Sequence, residues 1–268
     1  MISRLSKLTS AILFYIGHKI YRIICKQWGK PVPPSLVILT YHSIRHSDAA
    51  RFEQQMDMLL NTGSPISLSG YITALPGGHN IAVTFDDAYQ SVLQNALPIL
   101  RSKNIPATIF VPTGCLGKRP TWITNSSHRY ATETVLTAAQ LQKLPADLIT
   151  IGSHTVTHIN LIHVDESIAR REIFESKEIL EMVLNKKITL FAAPYATLNE
   201  KFIPLFKEAG YQHVFLNIPT FPATKTDSYI LGRTSVEPTD WSIEYHLKLS
   251  GAYQWLPIAI SLKKKLLG

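Results

Sequence analysis

The chain has 268 residues, 46% of them apolar and 17% charged, which is material for one large α/β domain or two small ones and excludes a disordered segment. Its 27 Lys and Arg against 19 Asp and Glu leave a formal charge of +8, so an anionic surface is an expected neighbour. Two cysteines, Cys25 and Cys115, are too few for a disulfide framework, match no zinc-binding spacing and fit a reducing compartment.

The first thirty residues, MISRLSKLTSAILFYIGHKIYRIICKQWGK, interleave apolar side chains with Arg4, Lys7, Lys19, Arg22, Lys26 and Lys30. The uncharged stretch 8–17 is too short to span a bilayer comfortably. No small-x-small cleavage site follows it, and His18, Lys19 and Arg22 stand where a signal peptide would be cut. Residues 1–30 therefore read as a basic amphipathic helix lying in an anionic membrane interface, with Phe14, Tyr15 and Trp28 as anchors. The competing reading is a helix that docks on the globular domain. Basic residues outnumber those before the apolar stretch once it is passed, which places the protein peripherally on the cytoplasmic face. The C-terminal WLPIAISLKKKLLG repeats the mixture of apolar and basic residues.

Pro31, Pro33 and Pro34 break the chain, and a second unit, 31–268, opens with the buried-strand signature SLVILTYH. Strand-like runs are expected near 36–41, 81–85, 107–112, 149–153, 189–193, 213–217 and 229–234, with helices clearest at 90–103, 166–184 and 199–209. Such alternation implies a mainly parallel sheet, open or closed into a barrel, whose site is built by loops at the strand C-termini. The ends of these runs carry the chemistry. The first ends in TYHS, the second in TFDD, the fourth in GSHTVTH and the fifth in AAPYA, so acids, imidazoles and a Pro-Tyr pair gather on one face.

The adjacent carboxylates of Asp86 and Asp87 are more than a helix cap needs, and they raise each other's pKa unless something cationic sits beside them. A metal ion is one candidate. Two histidine pairs lie four residues apart, His42/His46 and His154/His158, and spacing alone does not choose between them. Position favours the second, which leaves a strand through Gly152 and Ser153 and is expected to present both imidazoles one helical turn apart beside Asp87.

With TFDDA at 84–88, SHTVTH at 153–158, Pro194-Tyr195 after them and the alternation from about 35 to 240, the sequence resembles the polysaccharide deacetylases of carbohydrate esterase family 4. The resemblance implies the NodB-like fold, a distorted (β/α) barrel of fewer than eight strands, and a divalent metal, most often zinc and sometimes cobalt or nickel. Residue by residue, it implies Asp87, His154 and His158 as metal ligands, Asp86 as the general base toward water, and the backbone N–H of Tyr195 as a donor to the oxyanion of an acetamide under attack. The family's usual C-terminal Leu-x-Leu-His is missing. His42 in LTYHSI instead resembles the leaving-group acid of the circularly permuted branch, the poly-N-acetylglucosamine deacetylases. Ala192 stands where many relatives have an arginine that pairs with the base, and Arg233 in LGRTS is the candidate substitute.

The expected function is thus metal-dependent removal of acetyl from an amino sugar in a glycan or lipid-linked glycan. Alternatives are a deformylase or deacetylase of a polyprenyl-phosphate sugar, and a catalytically inactive carbohydrate-binding barrel, for which Ala192 is the argument. Nucleic-acid binding rests on net charge alone and is not expected. Asp240-Trp241 reads as a family motif or as a helix start, and Asp165 as an N-cap before a helix whose charges face solvent. His46, His79, His128, His163, His213 and His246 read as ordinary residues.

Overall fold

In the computed structural model, which describes residues 3–31, 34–69, 77–196, 198–219 and 229–256, the predicted alternation is a curled parallel sheet. Helix α1 (Arg4–Gln27) comes first, then β1 (Ser35–Tyr41), α2 (Ala49–Thr62), β2 (Ser64–Pro65), β3 (His79–Phe85), α3 (Leu97–Ser102), β4 (Ala107–Val111), α4 (Ala138–Gln142) and β5 (Ile149–Ser153). They are followed by α5 (Glu166–Leu184), β6 (Leu190–Ala192), α6 (Ile203–Glu208), β7 (His213–Leu216), β8 (Ile230–Gly232), β9 (Thr234–Ser235) and α7 (Ser242–Leu249). Every expected strand is present, and the last is cut at Arg233 into β8 and β9. The expected helix at 90–103 contains a wide π turn at Val92–Ala96 before α3, next to Pro98, which has no N–H to give the preceding turn. Helix α2 was not expected; its signal was the buried series Phe52, Gln55, Met56 and Leu59 at helical spacing.

The sheet order is β8-β7-β6-β5-β4-β3-β1-β9, with all pairs parallel and β2 beside the start of β3. The two end strands, β8 and β9, are separated in the chain by Arg233 alone. The sheet must therefore curl until its edges are almost in register. Arg233 N–H donates to Leu216 O (2.8 Å) on one edge, and Val236 N–H donates to Thr40 O (3.0 Å) on the other. Alternation along the strands then sorts the two faces. Leu36 and Ile38 of β1, Ala82 of β3, Phe110 of β4, Leu190 and Ala192 of β6, Phe215 of β7 and Leu231 of β8 fill the narrow interior. Val37, Leu39, Val83, Phe85, Ile109 and Val214 face the helices in a larger outer core. His42, Asp86 and Arg233 continue the inward parity of their strands, which is how polar groups reach the barrel mouth.

Helix α1 docks on α7 through Ala11, which packs with Leu247, Ala252 and Tyr253. Arg4 pairs with Glu244 (2.6 Å), and its guanidinium lies 4.1 Å from the centre of the Trp241 ring. Leu13, Ile16 and Ile20 remain exposed on another face. Among the described residues no helix is long and apolar enough to cross a membrane. The basic apolar segment 257–268 lies outside the described residues.

Interior space is tight where β4 passes β5: a Cβ on Gly152 would lie 2.5 Å from the Phe110 ring and 3.0 Å from Leu190 O. Gly152→Ala is therefore expected to cost about 1–3 kcal/mol of stability through overpacking. Urea unfolding checks this, and an unchanged midpoint would show that Phe110 has room to move.

Candidate active site

A cavity of about 550 Å³ opens where β1, β3, β5 and β6 end, and it contains His42, Asp86, Asp87, His154, His158 and Tyr195. All six residues singled out in the sequence thus meet in one place. Backbone conformation brings them there. Of the eight non-glycine residues with positive φ among the described residues, Asp87, His158, Tyr195 and Ala196 line the cavity, and Ala88 and Thr155 are buried one residue away from its lining. Each such residue costs of order 1–2 kcal/mol, a cost that active sites commonly carry. Thr155 (φ 67°) and His158 (φ 58°) also correct one expectation: the two imidazoles are presented by a tight loop instead of a helical turn.

That loop is held from beneath. The buried carboxylate of Glu172 on α5 accepts from Val156 N–H (2.8 Å), Thr157 N–H (2.9 Å) and the Thr157 hydroxyl (2.9 Å), while Thr155 Oγ1 accepts from His158 N–H (2.9 Å). Glu172 therefore does not belong to a solvated charge run, as the sequence reading had it. It lies on the buried stripe of α5 with Ala169, Ile173, Ser176 and Leu180, because loop N–H groups in the interior need an acceptor. Asp165 does precede α5, but its side chain makes no capping hydrogen bond.

The two adjacent aspartates have different partners. Asp86 is gripped by Arg233, Nη1 to Oδ1 at 2.6 Å and Nη2 to Oδ2 at 2.8 Å, and Nη1 also donates to Thr84 Oγ1 (3.1 Å). Burial pushes the Asp86 carboxyl up, but the Arg233 charge and then that of His154 outweigh it and hold the group well below the usual carboxylate range. Asp87 Oδ1 lies 3.2 Å from His158 Nε2 and 3.7 Å from His154 Nε2. Burial raises its carboxyl as well, and the His158 contact followed by the charges of His42 and His154 lowers it on balance.

His154 Nδ1 is 2.8 Å from Ala192 O, a carbonyl that only accepts, so Nδ1 carries the proton and Nε2 is left as an acceptor facing Asp87. Burial, the largest effect, pushes the His154 pKa down to about 4, which keeps the ring neutral near pH 7. Asp87, His154 and His158 each offer a ligand atom, all within 4.8 Å of one another. Acceptors this close and this buried repel unless a proton or a cation lies among them, and Asp87 Oδ1 is a buried atom without a protein hydrogen bond. The donor set, one carboxylate and two imidazoles, one of which donates its other ring N–H to the Ala192 carbonyl, fits a divalent transition metal.

The protein-family model for polysaccharide deacetylase matches residues 75–214, just over half of the chain. The chain belongs to the polysaccharide deacetylase family. Among relatives it is 28% identical over 217 residues to YxkH of Bacillus subtilis (strain 168), a protein named for the same family, covering 77% of this chain and 73% of that one. It is 24% identical over 145 residues to a poly-β-1,6-N-acetyl-D-glucosamine N-deacetylase of Staphylococcus aureus (strain MRSA252), and spans about half of that relative (51% of this chain, 47% of that one). The solved structure of IcaB from Ammonifex degensii superposes with a TM-score of 0.68 over 83% of this chain and all of that one, at 23% identity, so the likeness is one of fold. That fold is the NodB-like barrel the sequence predicted.

Against the deacetylase pattern, the departure at Ala192 is matched by a guanidinium from elsewhere. The Ala192 side chain is part of the barrel interior, and Arg233 reaches the same carboxylate from the closing edge. Sequence reasoning missed the aromatic wall. Trp122 stacks on the His158 ring (centroids 4.2 Å apart, 14° between planes), Tyr130 stacks on His42 (5.8 Å, 17°), and His128, read as ordinary, lines the same cavity. All three lie in the long segment between β4 and α4, where no hydrophobic period flags them. The remaining signal was a cluster of aromatic residues in a polar loop. Asp240 is neither in the cavity nor a cap; it accepts from Lys248 Nζ (2.7 Å) and Glu237 N–H (3.0 Å).

Removing Arg233 should expose how much the Asp86 carboxylate depends on it. Arg233→Met leaves Asp86 buried without its cation and is expected to cost about 3–5 kcal/mol. Adding Asp86→Asn should return most of that loss in urea unfolding. A double variant no more stable than Arg233→Met alone would assign the cost to packing.

Proposed function

We propose that this chain hydrolyses the N-acetyl amide of an amino sugar in a glycan or lipid-linked glycan, with a divalent metal, zinc in the first instance, held by Asp87, His154 and His158. The observation that carries the reading is the convergence of two imidazoles and a carboxylate on one buried point beside a second carboxylate with its own partner, Arg233. A cation at that point supplies Lewis acidity to water and to the amide carbonyl. Asp86 takes the proton of the attacking water; each of its oxygens keeps a lone pair beyond the one engaged by Arg233, and the guanidinium fixes where those lone pairs point. The Tyr195 N–H, presented by its left-handed backbone at the cavity rim, donates to the oxyanion. His42 gives a proton to the departing nitrogen as the C–N bond breaks, leaving acetate and a free amine. Trp122 and Tyr195, neither of them fully buried, are aromatic walls of the kind that pack on a pyranose ring. The S. aureus relatives named for poly-β-1,6-N-acetyl-D-glucosamine make an N-acetylglucosamine unit the first substrate to test. The inactive-barrel alternative loses its main argument, since an arginine does meet Asp86.

The same reading places the enzyme peripherally on an anionic membrane surface, at the cytoplasmic face, held by α1. Supporting it are exposed Leu13, Ile16 and Ile20 beside a series of basic residues. Docking of α1 on the barrel and contact with lipid are compatible, because they use different faces.

Two sets of measurements test these statements. Replacing Asp87, His154 or His158 with Ala should remove bound metal and activity together, whereas Asp86→Asn should keep the metal and lose at least about a hundredfold in kcat. His42→Ala should lose a comparable factor on an acetamide and much less on a substrate with a good leaving group. Stoichiometric metal in a His154→Ala/His158→Ala variant would refute the site. For the membrane, the full chain with Leu13→Gln, Ile16→Gln and Ile20→Gln should float with anionic vesicles far less than the parent. Protease accessibility in sealed vesicles reports the face.

A further inference from the structure

A second cavity, of about 560 Å³, lies between the C-terminal half of α1 and the barrel wall. Helix α1 contributes His18, Lys19 and Arg22 to it, and the wall contributes His79 and His246. No described residue that lines it is acidic. The two wall imidazoles are engaged within the protein: His79 by Ser35 Oγ (2.7 Å) and Leu249 O (2.8 Å), and His246 by the Tyr15 hydroxyl (3.3 Å). Lys19 Nζ is placed over the Tyr15 ring at 4.8 Å, without a carboxylate to hold it there. Burial first, and then the Arg22 charge, pushes His18 down; His79 is likewise lowered, with burial the largest effect. The cleft thus concentrates positive charge and hydrogen-bond donors without internal compensation, the arrangement that recognises a phosphate.

The surface beside the cleft separates the two sources of such a group. Ile23 lines the cavity and is also 56% exposed, and Ile20 and Ile24 extend the same apolar strip outward along α1. A free anion would make no use of that strip, whereas a lipid presents a phosphate next to hydrocarbon. We infer that this cleft binds the phosphate of an anionic glycerophospholipid through Lys19 and Arg22, while Ile20, Ile23 and Ile24 enter the adjoining acyl region. The inference rests on the membrane reading of α1 and adds to it a defined headgroup site.

The test compares two double variants of the full chain that lose equal charge, Lys19→Gln/Arg22→Gln in the cleft and Lys26→Gln/Lys30→Gln beyond it. Two cations merely near an anionic surface contribute roughly 30-fold to partitioning. Flotation with phosphatidylglycerol-containing vesicles is expected to fall by at least tenfold more in the cleft pair than in the distal pair. Short-chain dihexanoyl phosphatidylglycerol, below its micelle concentration, should raise the melting temperature of the parent and the distal variant but not of the cleft variant, with inorganic phosphate at the same concentration ineffective. Equal loss of flotation in the two variants would overturn the headgroup site and leave the membrane reading standing. Absence of flotation in the parent would overturn the membrane reading itself. Stabilisation by inorganic phosphate as large as by the lipid would overturn the lipid assignment in favour of a free-anion site. The parent protein's response to the two ligands decides the question even if a variant folds poorly.

Discussion

The bidentate contact between Arg233 and Asp86 joins the closure of the barrel to its chemistry. Arg233 is the single residue between the strands that bound the two edges of the sheet, so its side chain points inward only if those edges meet. Taking a guanidinium and a carboxylate out of water costs several kcal/mol each, and the cost is offset only by good geometry and by satisfying the remaining donors. The geometry is good and most of the donors are used: two parallel hydrogen bonds go to Asp86 and a further one to Thr84, the Phe110 ring lies 5.1 Å from the guanidinium, and Nε alone stays buried without a partner. The small side chain at Ala192 follows from the same constraint. An arginine there would bring a second guanidinium to a carboxylate that already holds one, and would need interior volume that Phe110, Phe215 and Arg233 occupy.

The mouth of the barrel is strained where it is functional, and the strain has identifiable supports. Left-handed residues at Asp87, Thr155, His158 and Tyr195 turn the chain sharply just past the strand ends, which lets side chains from consecutive positions face one point. Such turns leave backbone N–H groups inside the protein. Glu172 takes two of them, and Gly114, whose N–H donates to Val156 O at 2.8 Å, sits so close that a Cβ there would collide with that oxygen. The loop that carries His154 and His158 is therefore locked between α5 and the turn after β4, and its two imidazoles are preorganised without a helix to space them.

Much of this was legible in the sequence, for reasons that differ by element. Strands such as 36–41 and 81–85 are continuous apolar runs, because both faces of a closed parallel sheet are covered, and such runs need no tertiary information to be recognised. The acids and imidazoles were readable because they sit at strand ends, within a few residues of those runs. Arg233 was nameable only as a substitute, since its relation to Asp86 spans 147 residues and depends on the register at which the sheet closes. Glu172 was misread although its signal was present: it falls at helical spacing on the apolar stripe of α5, and an acid inside such a stripe marks a buried acceptor. Trp122 and Tyr130 carried no periodic signal, because the segment that holds them is ordered by contacts with the site itself.

Two readings were open for the helix at the start of the chain, docking and membrane contact; the docking is seen, and it leaves another face of the helix exposed. Its contacts run in order: Arg4 against Glu244 near the start of α7, Tyr15 against His246, and residues 18–22 beside Ser250 and His79 at the foot of β3. Helix α1 thus crosses the flank of the barrel with its first turn beside the start of α7 and its last turns beside the start of β3. A helix in a membrane interface lies in the plane of the bilayer. On the proposed membrane placement of α1, the barrel axis would lie along the surface and the cavity would open sideways over the head groups. Such an orientation suits a sugar chain projecting from the membrane into water, and it disfavours an amide buried among acyl chains, which the mouth would not face.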